Sequence, residues 1–333
     1  MKGWSNRTLN CATVAYLILL AIGWKLLWYS RFAERFHGHV VSTFISAALL
    51  LVPIWFFGFG LAEILQSVVS NTFARICVAA LLAVPYAIFA LPAHEFRWRI
   101  QAGFLVICVV AAALLESARR QHGSNRGGWQ DLVVLAALGL SVDLRLFESA
   151  WPYPGVSGMA KLMLVDVALY GYLVIRQLDG IGYDLRPKLG DLRIGIREFL
   201  FFTPIAVVLG LTLHFLHWHG RVPSAAMFFG GWLFTFLFIA IPEELFFRGL
   251  VQNLLEHRWG THVSLAITSV LFGLSHFNKR LGVVAAVGFN WRYVFLATIA
   301  GIFYGRAWLA KRRLMASAIT HTTVDVVWGI WLR

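Results

Sequence analysis

Three ionisable residues stand close together at the end of an apolar run of the sequence. Glu243, Glu244 and Arg248 follow the apolar stretch 225–240. A charged side chain at the centre of a bilayer costs roughly 2.5–3.5 kcal/mol on insertion scales, so these groups must pair, reach water or serve a function. Glu244 and Arg248 are four residues apart, share a helix face and can form an ion pair. Glu243 is rotated by about 100° from Glu244 and stays available for chemistry.

Pro242 stands directly before the two glutamates and affects the backbone around them. Proline has no N–H to donate and tends to kink a helix. We therefore predict a kink where Glu243 begins, with a freed carbonyl near Phe238 that needs water or a side chain as its partner.

Two further polar pairs occur in the apolar segments that follow. Phe272 and His276 are four residues apart, which places an aromatic ring beneath an imidazole on one helix face. His321 and Asp325 repeat this spacing, so their polar groups also face one direction. If the three helices pack together, Glu243, His276, His321 and Asp325 can converge on one polar pocket.

The chemistry that suits such a pocket is the activation of water. A carboxylate partly shielded from solvent can accept a proton from water, and a nearby imidazole can orient that water. A second imidazole with a polar partner can stabilise the oxyanion formed on an attacked carbonyl. No serine or cysteine has a comparable placement, although Ser275 beside His276 remains open as a nucleophile.

The elements that carry these residues are expected to be membrane-spanning helices. The chain has 333 residues, of which 59% are hydrophobic and 14% charged, whereas soluble domains average about 45–50% and 25%. Long apolar runs argue against open sheets and against the alternation of a barrel. We therefore predict an all-α, polytopic transmembrane helical bundle with about 10–11 membrane segments. The expected segments are 11–29, 42–62, 73–92, 100–117, 160–178, 197–218, 225–250, 262–277, 293–309 and 314–332, with a weaker one at 131–142.

The net charge of +13 fits the same interpretation. Basic residues stand mostly between the apolar runs, where the positive-inside rule explains them. We therefore expect the lipid bilayer, and no nucleic acid, as a partner. The most polar internal stretch, 179–196, is predicted to be a cytoplasmic loop. It follows N-terminal transmembrane segments of unknown role at 1–178.

In their order along the chain, the three motifs resemble the signature of the CAAX protease and bacteriocin-processing family. This family comprises the type II CAAX prenyl endopeptidases and their bacterial relatives, with the signature EExxxR, FxxxH and HxxxN/D. Here the motifs read Glu243-Glu244-Leu245-Phe246-Phe247-Arg248, Phe272-Gly273-Leu274-Ser275-His276 and His321-Thr322-Thr323-Val324-Asp325. The resemblance covers the C-terminal part of the chain, for which we expect a protease core at 197–333.

The resemblance implies an intramembrane glutamate protease without a cofactor or a metal. By that resemblance, Glu243 is the general base and His276 helps to activate the water. His321 and Asp325 stabilise the oxyanion. The eukaryotic enzymes carry Asn at the position of Asp325, and a carboxyl group donates a hydrogen bond only when it is protonated. Two roles therefore stay open for Asp325, that of an oxyanion donor and that of a group orienting His321.

The same resemblance assigns supporting roles to Glu244 and Arg248, which hold the surroundings of the first glutamate, and to Phe272. The expected substrate is a membrane-anchored protein or peptide. The bacterial relatives and the absence of organelle signals predict a multi-pass protein of a bacterial plasma membrane.

Two alternatives remain open at this stage. Two histidines and two or three carboxylates could bind zinc, which would make the chain a metal-dependent membrane protease, although it lacks an HExxH motif. The chain could also be a non-catalytic immunity or scaffold protein that uses the polar residues for packing or proton passage. The three cysteines, Cys11, Cys77 and Cys108, are far apart and indicate neither a disulfide framework nor a metal cluster.

Overall fold

The predicted all-α fold is confirmed. The computed structural model describes residues 6–29, 38–153, 155–220, 222–277 and 290–332. Within these ranges the regular structure consists of helices, and no β-strand occurs. Contacts divide the chain into two compact units, Met1–Asp179 and Gly180–Arg333. The roles predicted for the two parts of the chain stay predictions.

Eight helices form the described part of the first unit. They are α1 (Asn6–Tyr29), α2 (Val40–Phe57), α3 (Leu61–Val68), α4 (Thr72–Leu81), α5 (Val84–Ala90), α6 (Trp98–His122), α7 (Trp129–Asp143) and α8 (Met159–Leu169). A π-helical turn, Tyr170–Ile175, extends α8. Helix α4 begins where the side chain of Asn71 accepts a hydrogen bond from the Ala74 amide, which satisfies one of the free N–H groups of the first turn.

The second unit contains the three motifs. Its helices are α9 (Leu189–Thr212), α10 (Ala225–Thr235), α11 (Ile241–Glu244), α12 (Asn253–Leu274), α13 (Trp291–Lys311) and α14 (Leu314–Val327). The π-helical segments Phe236–Ala240 and Leu245–Gln252 connect α10, α11 and α12, and Trp328–Leu332 extends α14. Helices α9, α12, α13 and α14 pack against one another around a core of aromatic and small residues.

Seven helical stretches among the described residues are long and apolar enough to cross a membrane. They are Arg7–Trp28, Val40–Phe57, Thr72–Ala90, Trp98–His122, Leu189–Thr212, Ala225–Leu274 and Trp291–Lys311. The sequence predicts about 10–11 segments, and the difference has identifiable causes. Predicted segments 225–250 and 262–277 belong to one 50-residue stretch. It is bent at Gly260, whose φ of 78° favours glycine.

Three other predicted segments are helical but fall outside the seven. The weaker segment 131–142 corresponds to α7, which has 15 residues. Segment 160–178 corresponds to the short helix α8 and its π-helical turn, which ends at Ile175. Segment 314–332 corresponds to α14 and its extension, in which the polar residues of the third motif lower the mean hydropathy. The loop predicted at 179–196 ends before residue 196 in the structure, because α9 begins at Leu189.

A fully buried ion pair lies inside the first unit. The Arg176 Nε and Asp131 Oδ1 atoms are 2.9 Å apart, and neither side chain is exposed. Arg176 also donates to the backbone carbonyls of Gly123 and Arg126. The Tyr172 hydroxyl donates to the Asp131 carbonyl at 2.6 Å. The pair therefore fixes the end of α8 to the turn between α6 and α7.

In the second unit, Arg313 joins the first turn of α9 and the segment before it to the start of α14. Its guanidinium forms ion pairs with Asp184 and Asp191. Nearby, the Leu314 amide donates to the Gly182 carbonyl at 3.0 Å. Gly182 has a φ of 74°, and a Cβ atom there would lie 2.3 Å from the Arg312 carbonyl oxygen. Only glycine fits at this close approach.

We expect the change Arg176→Met to destabilise the first unit strongly. It leaves the Asp131 carboxylate buried without its cation, and breaking a buried pair costs about 3–5 kcal/mol. Thermal unfolding of the purified protein in detergent measures the loss. Arg145→Met is the control, because the Arg145–Glu148 pair is 3.7 Å long and lies at the surface. We expect it to cost less than about 1 kcal/mol. Equal losses in the two variants would contradict the assignment.

We expect the Asp184 carboxylate to contribute stability that disappears in acid. Partial burial opposes its ionisation, but hydrogen bonds from Arg186 and the charge of Arg313 outweigh that cost and lower the pKa of Asp184 from 3.8 to about 2. Because the folded-state pKa lies below the unfolded one, the contribution is complete above pH ~4 and is lost as the pH falls toward ~2.

Melting temperatures of the wild type and Asp184→Asn, measured across this pH range, test the expectation. The variant should be less stable near neutrality, and the two curves should converge in acid. Lys188→Met is the control, since its ammonium is 3.7 Å from Asp184 and mostly exposed. A constant gap between the wild type and Asp184→Asn would contradict the prediction.

Candidate active site

The first motif lies on one turn of helix between two π-helical segments. Glu243 and Glu244 end α11, and Arg248 lies in the π-helical segment that follows. Pro242 is buried at the start of this turn, directly after the π-helical segment Phe236–Ala240. A wide turn next to a proline is a common way to accommodate its missing N–H. The structure thus shows a local change of helix type at Pro242, and the predicted kink stays a prediction.

The ion pair predicted between Glu244 and Arg248 is confirmed. The Arg248 Nη1 and Glu244 Oε1 atoms are 3.1 Å apart, and both side chains are completely buried. Arg248 Nη2 donates to the Gly301 carbonyl in α13 at 3.0 Å. The guanidinium carbon lies 4.6 Å from the centre of the Phe272 ring, within the range of a cation–π interaction. Arg248 is thus held by three different helical segments.

The Glu244 carboxylate accepts hydrogen bonds at both of its oxygens. Oε1 lies 2.7 Å from His321 Nδ1 and also accepts from Arg248. Oε2 accepts from the Ser317 hydroxyl. Because both oxygens are occupied and the side chain is buried, Glu244 anchors its neighbours.

The sequence interpretation missed Ser317 and the link between Glu244 and His321. Ser317 precedes His321 by four residues in α14 and therefore shares its helix face. The position of Ser317, one helical turn before His321, is a signal that the sequence does contain. The link between Glu244 and His321 had no comparable signal, since it depends on how α11 packs against α14.

His321 is oriented by Glu244 on one edge and by an aromatic ring on one face. Its ring is stacked on that of Tyr304, with centroids 4.6 Å apart and an interplanar angle of 17°. With Nδ1 directed at Glu244, the other edge presents Nε2 to two carboxylates. Nε2 is 3.8 Å from Glu243 Oε2 and 3.5 Å from Asp325 Oδ2.

The two carboxylates that face His321 Nε2 can lie so close to it only if a proton is present between them. A lone pair facing two carboxylate oxygens is repulsive, so at least one proton must be shared among Glu243, His321 and Asp325. The distance from Glu243 is too long for a direct hydrogen bond and is suited to a bridging group. The arrangement can therefore hold and move a proton. The predicted shared face of His321 and Asp325 is confirmed by their contact.

His276 lies in the turn that follows α12 and is fixed by the backbone of that helix. Its Nδ1 lies 2.8 Å from the Phe272 carbonyl oxygen, which can only accept, so Nδ1 carries the proton in this contact and the neutral ring has its lone pair at Nε2. The Phe272 ring is 4.8 Å from the imidazole, as the four-residue spacing predicts. The Ser275 hydroxyl donates to the same carbonyl at 2.8 Å. Ser275 is not among the residues that line the cavity described next.

A largely apolar cavity lies beside these groups. Its volume is about 730 Å³ when the solvent-filled space at its opening is included. Helices α9, α13 and α14 form most of its wall. His276, His321 and Asp325 contribute polar atoms to its wall. Glu243 is not part of the wall and reaches this cluster at the Nε2 edge of His321. The structure thus places Glu243 and Asp325 beside the His321 imidazole. His276 lies in the wall of the cavity that His321 and Asp325 also line.

Within the described residues, no three His, Cys, Asp or Glu side chains are arranged to hold a metal ion. The metal-dependent alternative therefore rests on the sequence pattern alone.

Comparison with known proteins gives one match. Residues 223–327 match the family model described as type II CAAX prenyl endopeptidase Rce1-like, and this range contains all three motifs. No curated protein and no solved structure was found to match the chain. Residues 223–327 of the chain are therefore similar to the Rce1-like type II CAAX prenyl endopeptidases, a family of membrane proteases.

Proposed function

We propose that the protein is a glutamate-dependent intramembrane endopeptidase that cleaves a membrane-anchored protein or peptide without a metal. The observation that carries the proposal is the orientation of His321. Glu244 holds Nδ1, so that Nε2 faces Glu243 and Asp325 at the wall of an apolar cavity. The match of residues 223–327 to the family model supports proteolysis as the reaction class.

In the proposed reaction, Glu243 is the general base. It takes a proton from a water molecule while the water oxygen bonds to the carbonyl carbon of the scissile peptide. The π electrons of the carbonyl move to its oxygen, which becomes an oxyanion. When the tetrahedral intermediate collapses, the C–N bond breaks and Glu243 returns the proton to the leaving amine. A carboxylate with limited access to solvent suits both steps, and 15% of the Glu243 side chain is exposed.

The two histidines serve different parts of this reaction. His276 presents a lone pair at Nε2 when its Nδ1 proton is directed at the Phe272 carbonyl, so it can orient the attacking water. His321 can donate from Nε2 to the developing oxyanion when it is protonated. Asp325 stabilises the protonated imidazole as an ionised neighbour and donates only in its acid form.

The cavity favours an apolar part of the substrate next to the cleaved bond. Its wall is formed largely by aromatic and aliphatic side chains, and burial of such surface contributes roughly 25 cal/mol per Å². An apolar segment of a membrane-anchored protein meets this requirement. We propose a bacterial plasma membrane as the location.

We expect Glu243→Gln to lower the cleavage rate at least ~100-fold, because a general base contributes about 10²–10⁴ to the rate. Quantitative comparison of membrane-protein termini in cells that express the wild type or the variant at matched levels measures the effect. Particular proteins should lose a cleaved terminus in the variant. Glu148→Gln is the control, since its side chain is 47% exposed and lies in the first unit.

Identical sets of termini in the wild-type and Glu243→Gln cells would overturn the proposed function. If, in addition, the variant restored the phenotype of a null strain, the non-catalytic scaffold alternative would be favoured.

We expect Arg248→Met to reduce stability, in contrast to Glu243→Gln. The change leaves the buried Glu244 carboxylate without its cation, which costs about 3–5 kcal/mol. Thermal unfolding in detergent should therefore separate the variants, with Glu243→Gln close to the wild type. A large loss of stability in Glu243→Gln would indicate that this residue also serves packing and would weaken its assignment as the base.

The metal-dependent alternative has a direct test. Cleavage of the same substrates by purified protein should persist in EDTA and in 1,10-phenanthroline, and metal analysis should find less than one equivalent. Chelator-sensitive cleavage that a divalent cation restores would favour the metal-dependent enzyme.

A further inference from the structure

Tyr304 occupies a central position in the site that the three motifs do not include. It lies in α13 and is 2% exposed. Its ring is stacked on His321, and the guanidinium carbon of Arg248 lies 5.4 Å from its centre. Its backbone carbonyl accepts a hydrogen bond from Ser317 at 2.8 Å. Tyr304 therefore contacts three of the residues that hold the site together.

No hydrogen bond joins the Tyr304 hydroxyl to another described residue, and the hydrogen bond to a side chain at Tyr304 is the one that its backbone carbonyl accepts. Tyr304 belongs to the cavity wall together with His276, His321 and Asp325. The Tyr304 ring therefore borders the same space as Asp325 and the two histidines.

We propose that the Tyr304 hydroxyl donates a hydrogen bond to the carbonyl oxygen of the scissile peptide as it becomes an oxyanion. This inference rests on the proposed function. A tyrosine hydroxyl is neutral near pH 7 and is always able to donate, whereas Asp325 donates only when protonated. The Tyr304 hydroxyl can therefore donate a hydrogen bond at any pH near neutrality, whereas Asp325 can do so only in its protonated form.

The burial of the site strengthens such a donor. The Tyr304 ring contacts both His321 and the guanidinium of Arg248, which holds the ring in place before the substrate binds. A donor that is already oriented in a poorly solvated cavity stabilises a developing charge more than it stabilises the neutral carbonyl. The expected effect of the hydroxyl is therefore on the rate of the chemical step and not on substrate binding.

Tyr304→Phe tests the proposal because it removes the hydroxyl and keeps the stacked ring. The assay uses the full chain in proteoliposomes and a synthetic peptide that spans a bond whose cleavage is lost in Glu243→Gln cells. We expect kcat to fall about 10²–10³-fold, as for the loss of one oxyanion donor, with KM changed less than ~3-fold. The fall should be the same from pH 6 to 8, since a tyrosine hydroxyl stays neutral across this range.

Tyr16→Phe is the matched control. The Tyr16 hydroxyl is also largely buried and donates to the Ala48 carbonyl in the first unit. The change Tyr16→Phe should leave kcat unchanged within ~2-fold. Thermal unfolding of Tyr304→Phe should remain close to that of the wild type, which separates a lost donor from a disturbed fold.

The outcomes distinguish this proposal from the proposed function. If Tyr304→Phe keeps its kcat while Glu243→Gln is inactive, the hydroxyl is not an oxyanion donor and the ring serves only to position His321. A change confined to KM would overturn the proposal in the same way. If Glu243→Gln cells retain every cleaved terminus, the proposed function fails and the role of Tyr304 fails with it.

Discussion

The polar centre of the second unit depends on one buried carboxylate, that of Glu244. An ionised carboxylate removed from water is strongly unfavourable unless it is neutralised and fully hydrogen-bonded. Arg248 neutralises it, and Ser317 and His321 satisfy its remaining acceptor positions. Because these partners come from different helical segments, Glu244 joins α11 to α14 and, through Arg248, to the carbonyl of Gly301 in α13.

Two adjacent glutamates therefore have separate tasks. Their directions differ by about 100° on a helix. Glu244 is fully buried among its partners, whereas Glu243 keeps some exposure and lies near His321 Nε2. His321 connects the two, since its Nδ1 edge contacts Glu244 and its Nε2 edge faces Glu243. The Glu244 carboxylate thus sets the orientation of the His321 ring, and this orientation directs Nε2 toward the Glu243 carboxylate.

Close packing of small and aromatic residues creates the apolar surroundings of this centre. A Cβ atom at Gly273 would lie 1.9 Å from Thr298 Oγ1, and one at Gly301 would lie 3.1 Å from Ser269 Cα. These glycines let α12 and α13 approach closely, as small residues do between membrane helices. Phe272 can therefore contact both Arg248 and His321. Exclusion of water around the polar groups strengthens their electrostatic interactions.

The sequence by itself determined the all-α membrane fold and the pairs within single helices. Glu244 with Arg248, Phe272 with His276, and His321 with Asp325 follow from a spacing of four residues, because helix geometry alone brings such residues together. The number of spans was less predictable. Polar residues lower the hydropathy of 314–332, and the non-helical backbone at Gly260 interrupts the long apolar stretch Ala225–Leu274.

Only the tertiary structure decided which partner each polar group takes on another helix. Helix spacing predicts that Asp325 shares a face with His321, but it does not reveal that Glu244 binds Nδ1 of that ring. It also gives no role to Ser317 or Tyr304, whose contacts depend on the packing of α13 against α14. Spacing along one helix is local information, whereas contacts between helices depend on the volumes and close approaches of residues far apart in the chain.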